Sequence, residues 1–450
     1  MDKIITPRTL SGFMELLPQK QVIFDKIKHQ MELTYAKYGF FPLDTPVLED
    51  SKILLAKAGG ETEKQIYRFT KGDSDITMRF DLTVPLAKYV AKNYSELTFP
   101  FKRYQIGKVY RGERAQRGRF REFYQADIDI IGDGNLNIIN DAEIPSIIYS
   151  LFTSLGIKDF VIRINNRKIL NGLYEILGLS ERAPEIMRTI DKIDKIGQEN
   201  VRSELIELGI DDNIVDELLD TLLFKGSNIE TIENLKKYTS KNETFDTGID
   251  ELQTVVNYIS SFGVPDDYYT IDLSIARGLD YYTGTVYETF IRNHPEYGSV
   301  CSGGRYDNLA GYYTKKSLPG VGISIGLTRL FYVLSENNFL NESFENPVDV
   351  LVVPMTDDVS YAVKVATKLR ENDIPTQLYL EGGKFKKKLS YGDKLSIPFC
   401  IILGTDEIDS NKVTLKDMTS GEQITDSIEC VIDAIKAKTT NKNIVFVNMD

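Results

Sequence analysis

Hydrophobic positions recur at helical spacing near the N-terminus and then give way to an extended segment. Residues 19–38 are predicted to form an amphipathic helix, which Gly39 would end. Its apolar positions are Ile23, Ile27, Met31 and Tyr38. The following segment, 40–49, contains Pro42 and Pro46, and proline removes a donor from a strand ladder. We therefore expect a helix followed by an edge strand or an interface segment.

Between residues 101 and 132 the pattern changes to a period of two. Polar and apolar residues alternate along 123–131, which predicts a strand with one polar and one apolar face. The polar positions are Gln125, Asp127 and Asp129. A similar alternation runs along 103–111, and a polar turn at 112–120 separates the two runs. The sequence thus predicts an antiparallel pair of strands joined by a long basic loop.

The rest of the chain alternates between helical and strand-like stretches. Helical periodicity spans about 173–248, strand character returns at 268–277 and 283–291, and Asn346–Pro347 is a predicted linker. Beyond it, the strand-like segments 348–353, 376–380 and 399–403 alternate with the helix-like segment 359–370 and a lysine-rich helix. This order predicts an α/β domain with a parallel or mixed sheet. We expect a core of residues 1–172 and 249–340, a helical insertion of residues 173–248 and a C-terminal domain of residues 346–450.

Composition narrows the class of protein. The chain has 450 residues and a net charge of −12, which excludes a uniformly basic coat for nucleic acid. The three cysteines, Cys301, Cys400 and Cys430, form no CxxC pair, and the two histidines cannot build a multi-histidine metal site. No apolar run of about 18 residues and no signal peptide is present. We expect a soluble protein of a reducing compartment without a tightly bound structural metal.

Residues 102–122 reverse the sign of the overall charge. They carry eight basic side chains against two acidic ones, a local net charge of +6. The basic residues are Lys102, Arg103, Lys108, Arg111, Arg114, Arg117, Arg119 and Arg121. A solvated basic face is one interpretation. The other is a pocket for a molecule with an anionic and a cationic group, because arginine grips phosphate and carboxylate while the facing strand offers carboxylates.

Two glycine-bearing segments are ambiguous when taken alone. The run GVGISIG at 320–326 fits neither a P-loop nor a dinucleotide fingerprint, and close helix–sheet packing would explain it. The run RGLDYY at 277–282 could be a turn beside packed aromatic rings or a binding site.

Together these segments resemble the class II aminoacyl-tRNA synthetases and, among them, the histidyl-tRNA synthetases. Residues 40–49 resemble motif 1, the run from Arg111 to Asp127 resembles motif 2, and 320–329 resembles motif 3. RGLDYYTGTVYE at 277–288 and CSGGRYD at 301–307 resemble two histidine-specific blocks, and RFDLT at 79–83 an amino-acid-binding segment. The likeness extends from about residue 7 to about residue 434. It implies an α+β catalytic core, with an antiparallel sheet flanked by helices, and a C-terminal α/β anticodon-binding domain.

The resemblance also implies roles for individual residues. The histidine-binding residues would be Asp81, Thr83, Arg111, Gln125, Asp129, Arg277, Tyr281 and Tyr282. The ATP-binding residues would be Arg111, Glu113, Arg119, Phe123 and Arg329. In this family Arg111 would hold the α-phosphate and the amino-acid carboxylate, and Arg277 would act on the α-phosphate where other class II enzymes use a metal ion. These two arginines are the implied catalytic residues.

The implied reaction joins histidine to tRNA(His). ATP and L-histidine would form histidyl-adenylate and pyrophosphate, with Mg²⁺ accompanying ATP, before transfer to the 3′ end of the tRNA. The motif 2 loop would contact the acceptor end through Arg114, Gln116 and Arg117. The resemblance to motif 1 implies a homodimer. We expect the protein to be cytoplasmic and to have no membrane partner.

A second interpretation is a regulatory protein of the same fold. The regulatory subunit of ATP phosphoribosyltransferase shares this catalytic fold and binds histidine, but it lacks the C-terminal domain and commonly the catalytic arginines. Arg111, Arg277 and Arg329 are present here, which favours the enzyme. The sequence departs from the family at two positions. Thr328 stands where motif 3 usually has Glu, and Asp81 stands where many bacterial members have Glu.

Overall fold

The computed structural model describes residues 4–56, 64–114, 117–275, 282–340, 346–439 and Val447. They divide into two compact units. The first contains residues 4–15 and 27–340 with Val447, and the second contains residues 16–26 and 346–439. Among the described residues, no helix is long and apolar enough to cross a membrane.

Among the described residues, eleven strands and twelve helices precede residue 340. The strands are β1 (Phe41–Pro42), β2 (Leu48–Asp50), β3 (Arg68–Lys71), β4 (Ser74–Met78), β5 (Phe101–Tyr110), β6 (Glu122–Ile131), β7 (Phe160–Asn166), β8 (Tyr269–Ile271), β9 (Thr285–Ile291), β10 (Cys301–Tyr306) and β11 (Gly320–Ile325). The helices are α1 (Pro18–Lys37), α2 (Ser51–Leu54), α3 (Thr83–Lys92), α4 (Ile139–Leu155), α5 (Arg167–Ile176), α6 (Ala183–Ile190), α7 (Ile193–Ile196), α8 (Gln198–Glu207), α9 (Asp212–Leu222), α10 (Asn228–Leu235), α11 (Glu243–Ser261) and α12 (Leu327–Glu336).

An eight-stranded sheet forms the centre of the first unit, in the order β1-β5-β6-β11-β10-β9-β7-β8. The inner strands pair antiparallel, and only the β1–β5 and β7–β8 pairs at the two edges are parallel. Strands β5 and β6 pair over ten residues, from Phe101 opposite Ile131 to Tyr110 opposite Glu122. The predicted helix and the predicted antiparallel pair are therefore confirmed. A separate sheet has the order β2-β4-β3.

The predicted division of β6 into a polar and an apolar face is confirmed. Its apolar face is buried, as expected, through Ala126, Ile128 and Ile130. The polar face is buried as well, because the chain before helix α3 covers it: Leu82 accepts a hydrogen bond there from Arg103. The periodicity of a strand indicates which of its residues share a face. It does not indicate whether residues from a distant part of the chain will bury that face.

The glycines of β11 create room for side chains of the neighbouring strands. A Cβ atom at Gly322 would lie 2.3 Å from Oδ1 of Asp129, and one at Gly320 would lie 2.4 Å from the ring of Tyr306. Gly320 and Gly322 therefore allow close contact between β11 and its neighbouring strands. The sequence had indicated close packing between a helix and the sheet at these glycines. At Gly322, the absence of a side chain leaves room for the carboxylate of Asp129 on the polar face of the sheet.

Several elements differ from the sequence prediction. Strand β7 and the β3–β4 hairpin were missed, and β8 has only three residues of the predicted 268–277. Strand β7 lies inside the sheet between β8 and β9, so its pairing comes from strands more than 100 residues away in the chain. The predicted insertion, 173–248, lies within the helical stretch from α5 to α11.

The second unit is an α/β domain with a mixed five-stranded sheet. Its elements are β12 (Val350–Pro354), α13 (Ser360–Glu371), β13 (Thr376–Leu378), α14 (Phe385–Lys394), β14 (Phe399–Leu403), α15 (Thr405–Ser410), β15 (Val413–Asp417), β16 (Gln423–Asp426) and α16 (Ile428–Thr439). The sheet order is β13-β12-β14-β15-β16, parallel through β14 and antiparallel beyond it. The predicted βαβαβ order is confirmed, and the terminal hairpin was not foreseen.

We predict that Gly322→Ala destabilises the protein, because the added carbon would clash with Asp129 and with the backbone of Ile128. The expected loss is about 1–3 kcal/mol, typical of an overpacked core. Gly326→Ala is the matched control, since its Cβ would lie 3.6 Å from the nearest atom, in Arg329. Urea unfolding of both variants measures the difference, and equal midpoints would contradict the steric account.

Candidate active site

A fully buried ion pair lies at the base of the polar face. Arg103 on β5 is directly opposite Asp129 on β6, and their Nη2 and Oδ2 atoms are 2.6 Å apart. The hydroxyl group of Tyr306 donates to the other carboxylate oxygen of Asp129 at 2.6 Å. Both oxygens of Asp129 are thus occupied, and the register of one hairpin determines the pair.

Four other acceptor oxygens of this face have no hydrogen-bond partner among the described residues. They are Oδ2 of Asp81, Oε1 of Gln105, Oε1 of Gln125 and Oδ1 of Asp127. Asp81 and Asp127 are 2% and 1% exposed. Leaving a buried acceptor unsatisfied costs about 1–3 kcal/mol, and more when it is charged. The arrangement therefore suits a ligand that brings hydrogen-bond donors and positive charge.

Burial changes the protonation of the two carboxyl groups. It raises the pKa of Asp127 to about 7, opposed chiefly by the charge of Arg103. Burial likewise raises the pKa of Asp81 to about 6, opposed by the backbone N–H of Val84 and by the charge of Arg111. Both groups therefore titrate near neutral pH.

Arg111 is half-buried and lies just beyond the end of β5. Its Nε donates to the carbonyl oxygen of Phe80 at 2.9 Å, and its guanidinium lies 5.2 Å from the centre of the Phe123 ring. The half-buried cation and ring form a planar surface for an aromatic or anionic group.

The remaining predicted nucleotide residues also lie near the basic loop. Arg119 contacts Glu113 at 3.4 Å, and both side chains keep some solvent exposure. Arg329 donates to the carbonyl oxygens of Gly118 and Ser299, at 3.2 and 2.9 Å. Motif 3 therefore contacts the basic loop through its arginine.

Thr328 has a structural partner that explains its position. Its hydroxyl oxygen accepts a hydrogen bond of 2.8 Å from the backbone N–H of Tyr124. Strand β11 ends opposite Ala126, so no backbone acceptor of β11 continues to Tyr124. A buried threonine thus completes the strand ladder where the family usually has glutamate.

Only some of the other predicted site residues belong to the described part of the chain. Arg277, Tyr281 and Gln116 lie outside the described residues. Thr83 begins helix α3 beside Asp81, and Tyr282 packs against Ala87, Tyr306 and Leu309. Arg114 is exposed, and Arg117 is exposed beside Glu336 at 3.3 Å and the ring of Tyr297.

Sequence reasoning gave no individual role to Arg103 or Asp127. Arg103 was counted within a basic run for which a solvated face was one interpretation, and that interpretation is wrong for this fully buried residue. The available signal was its register: in a hairpin centred on the loop at 112–120, Arg103 falls opposite Asp129. Exposed Arg114, Arg117 and Arg119 do fit the solvated interpretation.

Comparison with known proteins assigns the chain to a family. A family model described as histidyl-tRNA synthetase matches residues 12–330, and one described as an anticodon binding domain matches residues 349–438. The chain belongs to the histidyl-tRNA synthetase family. The predicted activity is confirmed at this level, since the family joins histidine to tRNA(His) and uses ATP as a substrate.

Individual relatives cover nearly the whole chain. It is 57% identical to a histidine–tRNA ligase of Clostridium tetani over 434 residues, which span 96% of this chain and 99% of that protein. It is 48% identical to a histidine–tRNA ligase of Finegoldia magna, over 96% of this chain and all of the relative. A crystal structure of histidyl-tRNA synthetase from Nostoc sp. PCC 7120 is similar with a TM-score of 0.88 and 39% identity, over 97% of this chain and 100% of that one. The predicted class II fold is therefore confirmed.

We predict that Asp127→Asn stabilises the unliganded protein above pH 7. The folded carboxyl group, with its pKa of about 7, keeps a proton that the unfolded chain releases near pH 4, so stability falls as the pH rises from about 4 to about 7 and levels off above that. The variant should gain about 1–3 kcal/mol at pH 8, because a neutral amide avoids the desolvation of a buried charge. The gain should shrink toward pH 5. Urea unfolding at both pH values tests this, and a variant that unfolds more easily at pH 8 would reveal a stabilising partner of Asp127.

Proposed function

We propose that the polar face of the sheet is where this synthetase activates histidine. The observation that carries the proposal is the set of four buried acceptor oxygens, unpartnered among the described residues, together with half-buried Arg111. Zwitterionic histidine offers an ammonium group and ring N–H donors to the acceptors and a carboxylate to the arginine. An uncharged ligand would leave both kinds of protein group unmatched.

The amino acid would lie between Arg111 and the buried carboxylates. Arg111 would hold its carboxylate, and Asp81, Thr83 and Gln125 would receive its ammonium group. Asp129, tied to Arg103, would present a fixed negative charge toward the imidazole ring. Tyr281 and Tyr282 would close the side-chain pocket, a role that the family resemblance implies for both.

ATP would occupy the end of the pocket nearest the basic loop. Phe123 and Arg329 would contact the two faces of the adenine ring, and Glu113 would accept a hydrogen bond from its amino group. Arg119 would meet the outer phosphates. Glu113 and Arg119 contact each other in the unliganded protein, so binding would exchange that contact for the nucleotide.

Arg111 and Arg277 would stabilise the charge that builds on the α-phosphate during adenylation. A fixed guanidinium does this without reorganisation, and positioning of the two substrates makes a covalent protein intermediate unnecessary. Mg²⁺ would enter with ATP on the pyrophosphate side. No group of three metal-ligating side chains occurs among the described residues, so phosphate oxygens would supply most of its ligands.

The tRNA would meet the protein at two places. Exposed Arg114 and Arg117, with Gln116 between them in sequence, would contact the acceptor end, and phosphate contacts of this kind position a nucleic acid. Residues 346–450 would form the anticodon-binding domain, beside a catalytic core of 1–172 and 249–340 and an insertion of 173–248. We place the protein in the cytoplasm, where its tRNA is charged.

ATP–pyrophosphate exchange with each of the twenty amino acids separately tests the proposed site. We expect exchange with histidine alone. Histidine binding without any exchange would instead support a regulatory protein of the same fold, and exchange with another amino acid would overturn the pocket assignment.

We predict that Arg277→Ala slows histidine-dependent exchange by about 10²–10³-fold, the usual loss for one preorganised donor. Arg202→Ala is the control, because Arg202 pairs with Asp216 among the helices between α5 and α11. Exchange at the normal rate by the Arg277 variant would contradict its catalytic role.

We further propose a homodimer built on the motif 1 region. In the sheet β2-β4-β3, Leu48, Phe69, Ile76 and Met78 share one face by register. Leu48 and Phe69 are 47% and 44% exposed, and the opposite face buries Thr77. A second copy of the chain would cover this apolar face, as exposed apolar patches of soluble proteins commonly require.

We predict that Phe69→Asp shifts the protein toward monomers in analytical ultracentrifugation, because the interface would have to bury an unpaired charge. Ile424→Asp is the matched control, with 47% exposure on the edge strand of the second unit. A dimer that survives the Phe69 change, or a wild-type protein that sediments as a monomer, would refute this interface.

A further inference from the structure

Asp127 is a buried carboxylate of the pocket to which no role has been given. It is 1% exposed, and the residue opposite it on β11, Ser324, hydrogen-bonds to its carboxylate. Its Oδ1 has no hydrogen-bond partner among the described residues. Because side chains alternate along a strand, Asp127 shares its face with Gln125 and Asp129. Its carboxylate therefore belongs to the pocket rather than to the apolar core.

Position along β6 places Asp127 beyond the reach of the nucleotide. Successive residues on one face of a strand are about 7 Å apart. If Phe123 marks the adenine and Gln125 the ammonium group, as the proposed function has it, Asp127 is one step deeper. The imidazole ring of a histidine whose ammonium group lies at Gln125 can extend in that direction, and the side chain of Asp127 can reach toward it. This inference therefore rests on the proposed function.

The charges around Asp127 indicate what the imidazole ring of a bound histidine must supply. The groups that face or electrostatically influence Asp127 are Arg103 on β5, Asp129 on β6, Ser324 on β11, Asp81 before α3, Tyr35 on α1 and Cys301 on β10. Arg103 forms its ion pair with Asp129 and acts on Asp127 through its charge alone, so Asp81 and Asp127 have no ion-pair partner among the described residues. The ammonium group of a bound amino acid can match one of them. The other needs a proton or a second positive charge.

We propose that Asp127 determines specificity for a basic ring: its Oδ1 accepts a ring N–H of the bound histidine, and carboxylate and imidazole together hold one proton. Histidine is the amino acid whose side chain exchanges a proton near neutral pH, so the pair can be matched at physiological pH whichever partner carries the proton. A ring of the same shape but much lower basicity would leave the carboxylate unmatched.

The pH dependence follows from the retained proton. Free imidazole has a pKa of about 6.5, and burial raises that of the Asp127 carboxyl group to about 7. Above these values both partners have lost their protons, so binding must take one up, and kcat/KM for histidine should decline. Without the carboxylate that decline should disappear.

The test compares wild type and Asp127→Asn in ATP–pyrophosphate exchange, with histidine and with 1,2,4-triazole-3-alanine, between pH 6 and 8.5. The triazole ring has the shape of imidazole but is far less basic. We expect the variant to lose about 10–100-fold in kcat/KM for histidine at pH 7, the range for one hydrogen bond to a charged group. The loss should lie mainly in the KM for histidine, with the KM for ATP unchanged. Exchange with the triazole should change little, so the selectivity of the enzyme falls.

Asp133→Asn is the matched control. It makes the same chemical change just past the end of β6, where Asp133 accepts a hydrogen bond from the Tyr94 hydroxyl outside the pocket. It should leave the selectivity and the pH profile as they are. Equal losses for both substrates in Asp127→Asn, with an unaltered pH profile, would show a merely structural role and overturn the inference. Absence of exchange by the wild type with histidine would overturn the proposed function instead.

Discussion

The fully buried pair of Arg103 and Asp129 is the contact around which the site is built. A guanidinium and a carboxylate that leave water are stable only when paired and hydrogen-bonded, and removal of one partner of such a pair typically costs about 3–5 kcal/mol. The surroundings supply part of what the pair requires, while Nε and Nη1 of Arg103 have no hydrogen-bond partner among the described residues. Tyr306 donates to the second oxygen of Asp129, Leu82 accepts from Arg103, and Gly322 leaves room for the carboxylate. The pair therefore links β5, β6, β10, β11 and the cover before α3.

This arrangement divides the polar face into a satisfied part and an unsatisfied part. Asp129 has no free oxygen, whereas Asp81, Gln125 and Asp127 each keep one acceptor without a partner among the described residues. A folded protein rarely leaves such atoms buried unless a ligand or ordered water meets them. In the proposed function, a bound amino acid with a positive charge would supply the hydrogen-bond donors that these atoms lack, which would favour its binding.

Thr328 illustrates how a departure from a family pattern can be compensated. Glutamate at this position would be a charged group beside a buried strand end. Threonine is neutral, 1% exposed, and its hydroxyl accepts from the N–H of Tyr124. The position therefore retains a polar contact with motif 2 while the arginine that follows it, Arg329, contacts the basic loop.

The sequence by itself determined the local elements and the identity of the chemistry. Periodicity predicted helix α1, the β5–β6 hairpin and the βαβαβ order of the second unit, because each depends on residues close together in the chain. Ordered motifs predicted the family. The tertiary structure alone decided that β7 lies inside the sheet, that Arg103 is buried, and that Asp127 rather than Asp129 keeps a free oxygen. Burial and hydrogen-bond satisfaction depend on what covers a residue from far along the chain, and no local pattern encodes that cover.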